Sequence, residues 1–472
     1  MHYRTNDLSE NCPRRGGQAH FAHRASQNEP VPDRFRLGSN SRRAAVGLLV
    51  IAAAGWLAVG GRFATAAPAG GDWPQFRGPT GEGISDATGL PLNWSESQNI
   101  AWKTPLEGKG WSSPVVLGGQ IWMTAARDDG HSLRAICVGL DSGKIEHDVE
   151  VFHIESPVHI NGRNSHASPT PVIEPGRVYV HFGTMGTACL ATDTAKILWT
   201  NQDLKLNHLE GPGSSPIIYH DLLIVHCDGS DFQYIVAVNK MTGKIVWKTD
   251  RSGKPDEHDN RRKSFCTPLV INFHGHDQLI SPAAGQILAY NPATGEELWK
   301  IRHDGYSIVP RPLYGRGLIF FSTGYDVPQY WAIRPGDHGD LTSTNVVWKL
   351  TTQAPLNPSP VLVGDGLYIV NDRGIVTCLD AESGQQRWHH RVGGDFWASP
   401  IVVDGRIYFF GESGATTVIE PGKEYKELAV NHLADGIISS PAVAGHSFII
   451  RTTTSLYRIE KLPPGGLNTA GR

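Results

Sequence analysis

The chain has 472 residues, 40% of them hydrophobic and 19% charged, with 53 glycines and 31 prolines. That apolar content can bury a large core, while so many glycines and prolines suit short elements joined by turns and exclude a helical bundle. A formal charge of −3 and a sequence pI near 6.7 leave no basic field for a phosphate backbone, which excludes nucleic acid as a default partner and gives no sign of membrane-surface binding.

Residues 1–43 are polar, rich in Arg and without an apolar period, the pattern of a disordered extension. No Met lies between Met1 and Met123, so a true start downstream of a misassigned one would use another codon. From Ala44 to Gly61 the chain carries no charge; Arg42 and Arg43 precede this run, and Ala64-Thr65-Ala66 follows it as a small-x-small cleavage site. Residues 44–66 are therefore expected to be an export signal, with an uncleaved N-terminal transmembrane helix as the alternative, since a run of about 18 apolar residues just spans a bilayer. Either outcome puts the remainder in the periplasm or cell envelope. Ser41-Arg42-Arg43 lacks the large residues that follow a twin-arginine signal, which leaves general secretion equally open. Residues 67–98 form a lead-in.

Beyond that point the chain repeats. A Ser-Pro-like start occurs at Ser112-Ser113-Pro114, Ala167-Ser168-Pro169, Ser214-Ser215-Pro216, Cys266-Thr267-Pro268, Pro310-Arg311-Pro312, Pro358-Ser359-Pro360, Ala398-Ser399-Pro400 and Ser439-Ser440-Pro441. These eight starts stand 40 to 55 residues apart, about the length of a four-stranded propeller blade. The content of a unit decides against helices. Pro400 to Phe410 is two β-branched runs around an Asp404-Gly405 turn, and the third and fourth runs are joined by frames such as Ala237 to Trp247, AVNKMTGKIVW, and Ala289 to Trp299, AYNPATGEELW, with Cys378 to Trp388 in the same frame. The Asn or Asp caps the turn, Gly takes the positive φ, and the Trp offers a flat face to the next blade. Trp199, Trp247, Trp299, Trp348 and Trp388 are accordingly read as blade-packing residues. The unit from Ser439 to Glu460 has material for three strands only, and Asn99-Ile100-Ala101-Trp102-Lys103 reads as the missing fourth. The expected fold is all-β, an eight-bladed propeller of four-stranded antiparallel blades over residues 99–461, closed by an N-terminal strand and followed by a disordered tail at 462–472. Seven blades is the nearest alternative, because the fifth unit lacks the Thr-Gly turn and the seventh lacks a Trp.

Cys12 precedes the apolar run, leaving Cys137, Cys189, Cys227, Cys266 and Cys378; an odd count leaves at least one unpaired and implies no disulfide framework. Several lie in apolar runs, where free Cys behaves as a small hydrophobe.

The Ala-x-Asp/Asn-x-x-Thr-Gly-Lys-x-x-Trp frame, complete at Ala237, Asn239, Thr242, Gly243, Lys244 and Trp247, resembles the repeat of the pyrroloquinoline-quinone (PQQ) propeller family, which includes PQQ-dependent dehydrogenases and the β-barrel assembly lipoprotein BamB. Trp73-Pro-Gln-Phe-Arg-Gly-Pro79 is similar to the opening of exported bacterial PQQ-like repeat proteins. The likeness to BamB implies a monomeric, non-catalytic envelope module that binds a protein or polymer partner at a propeller face. The likeness to the dehydrogenases implies the alternative, an alcohol or aldose oxidoreductase with PQQ and calcium near the axis beneath two adjacent disulfide-bonded cysteines. This chain departs from both, having no adjacent Cys pair and no Cys directly after its apolar segment to carry a lipid. The first reading is the one adopted, with no cofactor expected.

Residues entering each innermost strand should ring one mouth of the channel: Trp111, Asn164, His166, Arg262, Lys263, Tyr306, Arg311, Asn357, Asp395, Trp397 and Asp435. Their aromatics, cations and carboxylates suit an anionic or aromatic ligand, with Asp395 or Asp435 as the general base of any enzyme. His147, His153, His159 and His166 in a long stretch between the first two starts, and His274 and His276, show no ligand spacing that argues for a metal, and no nucleophile elbow, phosphate loop or zinc-protease motif occurs.

Overall fold

The computed structural model describes residues 71–463; the expected extension at 1–43, the export or anchor segment at 44–66, residues 67–70 and the tail from 464 onward lie outside the described residues. No helix among the described residues is long and apolar enough to cross a membrane.

Eight antiparallel sheets form, and in seven of them the four strands of a blade follow one another in the chain from inside to outside. Each begins with a short inner strand: Val115–Leu117, Val172–Glu174, Ile217–Tyr219, Leu269–Phe273, Leu313–Gly315, Val361–Val363, Ile401–Val403 and Ala442–Ala444. Second and third strands are sandwiched between neighbouring blades, so both their faces are apolar. Leu222–Asp228, sequence LLIVHCD, is buried from its second residue onward. The cores form accordingly between blades, one joining Leu269, Ile280 and Trp299 of the fourth to Ile319, Phe321 and Trp331 of the fifth.

The eighth blade closes the ring. Ile100–Pro105 pairs antiparallel with Ser455–Glu460, Ile100 opposite Ile459 and Pro105 opposite Ser455, so the start of the repeat region supplies the outermost strand of the last blade. This is the closure expected from the orphan strand.

A recurring bulge aims the tryptophans. In the pairing of third and fourth strands the register shifts beside the Trp position, as at Ala237/Val238 opposite Trp247 and Cys378/Leu379 opposite Trp388. The indole of one blade then meets the turn of the next: Trp199 Nε1 donates to Lys240 O at 2.9 Å, Trp348 Nε1 to Ala381 O at 3.0 Å and Trp388 Nε1 to Gly422 O at 3.1 Å. Trp102 of the closing strand does the same to Leu140 O at 2.9 Å and is a sixth docking tryptophan that the repeat frame alone did not reveal. Where the next turn is irregular, docking changes. The fifth blade replaces its Thr-Gly turn with an insertion whose Gly339–Asp340 runs parallel to Trp299 and Lys300, and Trp299 Nε1 donates to Gln278 Oε1 instead. The seventh blade faces an eighth with no such turn, because its third and fourth strands come from opposite ends of the repeat region. There Ala429 takes the Trp position, and Trp94 of the lead-in packs against Tyr408 and Phe448.

One start moves. The inner strand of the second blade begins at Val172, directly after Thr170-Pro171, so the true start is two residues beyond Ser168-Pro169. All five described cysteines are free and buried. Within the long stretch between the first two starts, His147 and His153 lie on the outer strand Ile145–His153, where His147 holds the Trp position and stacks on Trp122.

Candidate functional site

The Ser-Pro starts build a ring of hydroxyls at the axis. A proline cannot donate from its own nitrogen, so the residue before it carries the local amide, and that amide bonds to the hydroxyl of the next blade. Ser113 N–H donates to Thr170 Oγ1, Thr170 to Ser215 Oγ, Ser215 to Thr267 Oγ1, Arg311 to Ser359 Oγ, Ser359 to Ser399 Oγ and Ser399 to Ser440 Oγ, all at 2.9–3.0 Å. Seven of the eight positions are Ser or Thr; Arg311 alone breaks the series.

The lead-in threads this ring. Trp73 exchanges backbone bonds with Val116 of the first inner strand, Pro74 O accepts from Ile173 of the second, and Gly83 and Ser85 bond Val402 of the seventh. Between them, Arg77 Nη1 donates to Pro400 O at 2.8 Å, and Nη2 to Glu82 O at 2.7 Å and Pro360 O at 2.5 Å. Arg311 Nη1 donates to Phe76 O at 2.8 Å and Gly81 O at 3.4 Å. Residues 73–85 thus touch blades on opposite sides and cross the axis. A Cβ on Gly81 would stand 2.1 Å from Arg311 Nη1, and one on Gly83 2.5 Å from Arg77 Nη2, so both positions require glycine. Burial pushes Arg77 down to about 9, helped by the charge of Arg311, and burial pushes Arg311 down to about 10. Neither guanidinium bonds a carboxylate among the described residues.

The predicted mouth residues lie on the loops entering the inner strands, but they do not converge on one pocket. Trp111 and Trp397 come together around Arg163: Trp111 Nε1 donates to Arg163 O at 3.0 Å, and the Arg163 guanidinium stands 5.8 Å from the Trp397 ring. Asn164 is spent on Glu210 O and Pro212 O, and His166 on Val158 O. Lys263 pairs with Glu210 at 2.9 Å; burial works against that carboxylate, yet the bonds from Lys263 and Asn161 hold it below its ordinary range. Arg262 is tied to Asp256 O and Asp259, Asn357 bonds Asp372, and Asp435 accepts from Thr454 Oγ1. Asp395 is exposed and Asp435 half-buried, so neither has the desolvated setting of a general base. Beside the mouth, a cleft of about 760 Å³ is lined by Lys109, Asp128, Asp129, His131, His159 and His166.

Loop residues absent from the sequence prediction make a more open feature across the third to fifth blades. Phe232, Tyr325 and Val327 are 57%, 55% and 67% exposed. Tyr325 meets Tyr306 edge to face at 5.9 Å, Arg261 stands 5.8 Å over Tyr306, and Arg262 reaches Ser230 O, two residues from Phe232. Their signal in the sequence was only apolar or aromatic residues inside polar loops.

Between the third and fourth blades lies a buried network. Asp228 accepts from Arg251 Nε at 2.9 Å and stands 3.0 Å from His226 Nε2, while Arg251 Nη2 donates to both Ser281 Oγ at 2.8 Å and His226 Nδ1 at 3.0 Å. The residue types are those of a serine hydrolase. The chemistry is not, because Nδ1 is already occupied as an acceptor and every member is buried away from substrate.

No group of three or more His, Cys, Asp or Glu comes together among the described residues, and two cations occupy the axial layer.

A family model described as "Outer membrane protein assembly factor BamB" matches residues 134–338 and 337–424. The outer membrane protein assembly factor BamB of Burkholderia pseudomallei is 31% identical over 147 residues, 31% of this chain and 32% of that protein. Quinoprotein alcohol dehydrogenase PedH of Pseudomonas putida is 27% identical over 241 residues, 46% of this chain and 38% of that protein. The chain spans about a third to a half of the length of the curated relatives it matches. The crystal structure of BamB from Moraxella catarrhalis superposes with a TM-score of 0.53 at 12% identity, over 76% of this chain and 99% of that one, a likeness of fold alone. Since the family match runs over more than half of the chain, and the blades and docking tryptophans are in place, the protein belongs to the PQQ-like β-propeller family that the BamB model describes.

Proposed function

We propose that the chain is an exported, non-catalytic scaffold of the cell envelope that binds a protein partner through the loops of its third to fifth blades. The observation that carries this reading is the run of exposed Phe232, Tyr325 and Val327 joined to Arg261, Arg262 and Tyr306. Aromatics and arginines of this kind dominate the energetics of protein interfaces. The resemblance to BamB proteins, named for outer membrane assembly, supports a partner of that class. The relationship to PedH supports the second reading, a PQQ-dependent oxidoreductase, but the threaded axis and its two arginines argue against that cofactor's calcium.

A photo-crosslinking amino acid placed at Phe232 or Tyr325 should capture an outer-membrane assembly component in intact cells, whereas one at Ile145 on the outer edge of the first blade should not. Equal capture from all three sites sinks the partner surface. Saturable PQQ and calcium binding with dye-linked alcohol turnover would replace the scaffold reading by the second.

A further inference from the structure

We propose that the propeller axis is a binding site for a small monovalent anion, of halide or single-carboxylate size, held between Arg77 and Arg311. Three independent features point to it. Arg311 is the sole departure from a hydroxyl ring that seven other blades maintain, and it brings a buried cation to the axis. Both arginines are about 3% exposed, and the partners their guanidiniums have are backbone carbonyls, which solvate a cation but do not neutralise it. Arg311 Nε is buried with no partner at all, and the hydroxyl of Tyr330, within reach of the Arg77 charge, is buried and unpartnered too.

The local carboxylate is Glu82. It acts on both arginines through space, but its side chain turns outward to Thr80 Oγ1 at 3.1 Å. Cys266 Sγ, the other titratable neighbour, is turned to Pro310 O at 3.2 Å, and burial keeps it a thiol. Two like charges in one dry layer, with donors left over, have the chemistry to hold one anion. Its size is limited by the tight approach of Gly81 and Gly83 to the guanidiniums, which leaves no room for a polyanion.

The full chain in gluconate, an anion too large to enter, is titrated with chloride, bromide or acetate at constant ionic strength while the melting temperature is followed. Binding to the folded state alone gives a saturable rise of about 3 °C or more. Arg311→Lys, which keeps the charge and removes Nε, should lose most of that rise. Diffraction from a bromide-soaked crystal should place an anomalous peak within hydrogen-bond distance of Arg311 Nε. Absence of that peak, together with melting that follows ionic strength alone in the native chain, overturns the site even if Arg311→Lys fails to fold. A native chain that ignores anions beside a Glu82→Gln variant that responds to them would also overturn it, because Glu82 would then be the resident counter-ion.

Discussion

Trp102 lies against Gly143, so close that a Cβ on that glycine would stand 2.7 Å from the indole, and through this contact the strand at the start of the repeat region joins the eighth blade to the first. The same relation links Trp199 to Gly243, Trp247 to Gly295 and Trp348 to Gly384. Docking tryptophan and turn glycine are therefore one device divided between two blades.

Trp102→Ala should be the most damaging of the tryptophan truncations. It removes a 5% exposed indole and its bond to Leu140 O, on the strand whose pairing with Ser455–Glu460 joins the two ends of the repeat region. A loss of about 3–5 kcal/mol is expected from the large-to-small change in a core. Urea denaturation of this variant beside Trp388→Ala tests it; an equal or smaller loss at Trp102 would mean that strand pairing alone holds the ring shut.

The second blade provides an internal control. Its turn carries Ala195 at φ +53 where others have glycine, and the preceding blade offers His147 in place of a tryptophan. Gly243→Ala drives a methyl to within 2.5 Å of Trp199 and should lower the melting temperature clearly. Ala195→Gly meets no indole and relieves a left-handed alanine, so it should be neutral or stabilising by up to about 1 kcal/mol. Melting curves that drop equally for both changes would break the proposed pairing of Trp with Gly.

Much of this architecture was legible because it repeats. The Thr-Gly-Lys-x-x-Trp frame announced its blades, and Asn99 to Lys103 could be recognised as a strand without a partner. What repetition could not give is whatever occurs once. Trp94 of the lead-in, packed on the seventh and eighth blades, and Trp102 in the eighth serve a device whose halves are far apart in the chain. The start at Thr170-Pro171 was masked by a Ser168-Pro169 two residues earlier, and only the register of Val172 separates them. Arg311 was picked as a mouth residue, yet nothing in sequence brings it to Phe76, 235 residues away. The apolar loop residues Phe232, Tyr325 and Val327 have no pattern, since partner surfaces obey the partner and not the period.

The network at Asp228 should show the asymmetry of buried ion pairs. Burial opposes the charge of Asp228, but Arg251 and His226 hold its carboxyl below its ordinary value. Asp228→Asn leaves Arg251 buried with a neutral partner and should cost about 3–5 kcal/mol, whereas Asp228→Leu with Arg251→Met should cost much less than the sum of the single changes. Chemical denaturation of Asp228→Leu, Arg251→Met and the double variant gives the coupling. Additive losses would mean that the network acts through packing alone.

Acid should loosen the ring through its buried histidines before the carboxylates matter. Burial pushes His181 down to about 3, with the charge of His208 adding to it, and burial pushes His208 and His303 down to about 4. His303 shows why: Nδ1 accepts from Gly305 N–H at 3.0 Å, so Nε2 carries the proton, and that N–H is buried without a partner near the rings of Phe321 and Trp331. A second proton would place a cation there. Because the folded values lie below the ordinary 6.5, the unfolded chain binds more protons as the pH falls. The stability these groups confer is complete above about pH 6.5 and is lost progressively toward pH 4, by up to about 1.4 kcal/mol per pH unit for each histidine. Stability measured by urea denaturation from pH 7 to 4.5 should therefore slope downward, and His303→Gln, which cannot titrate, should flatten that slope, leaving the share of His181, His208 and His226. A flat profile from pH 7 to 5 would assign acid sensitivity to carboxylates such as Glu210, whose depressed value places its loss at lower pH, and a slope unchanged by His303→Gln would remove His303 from the account.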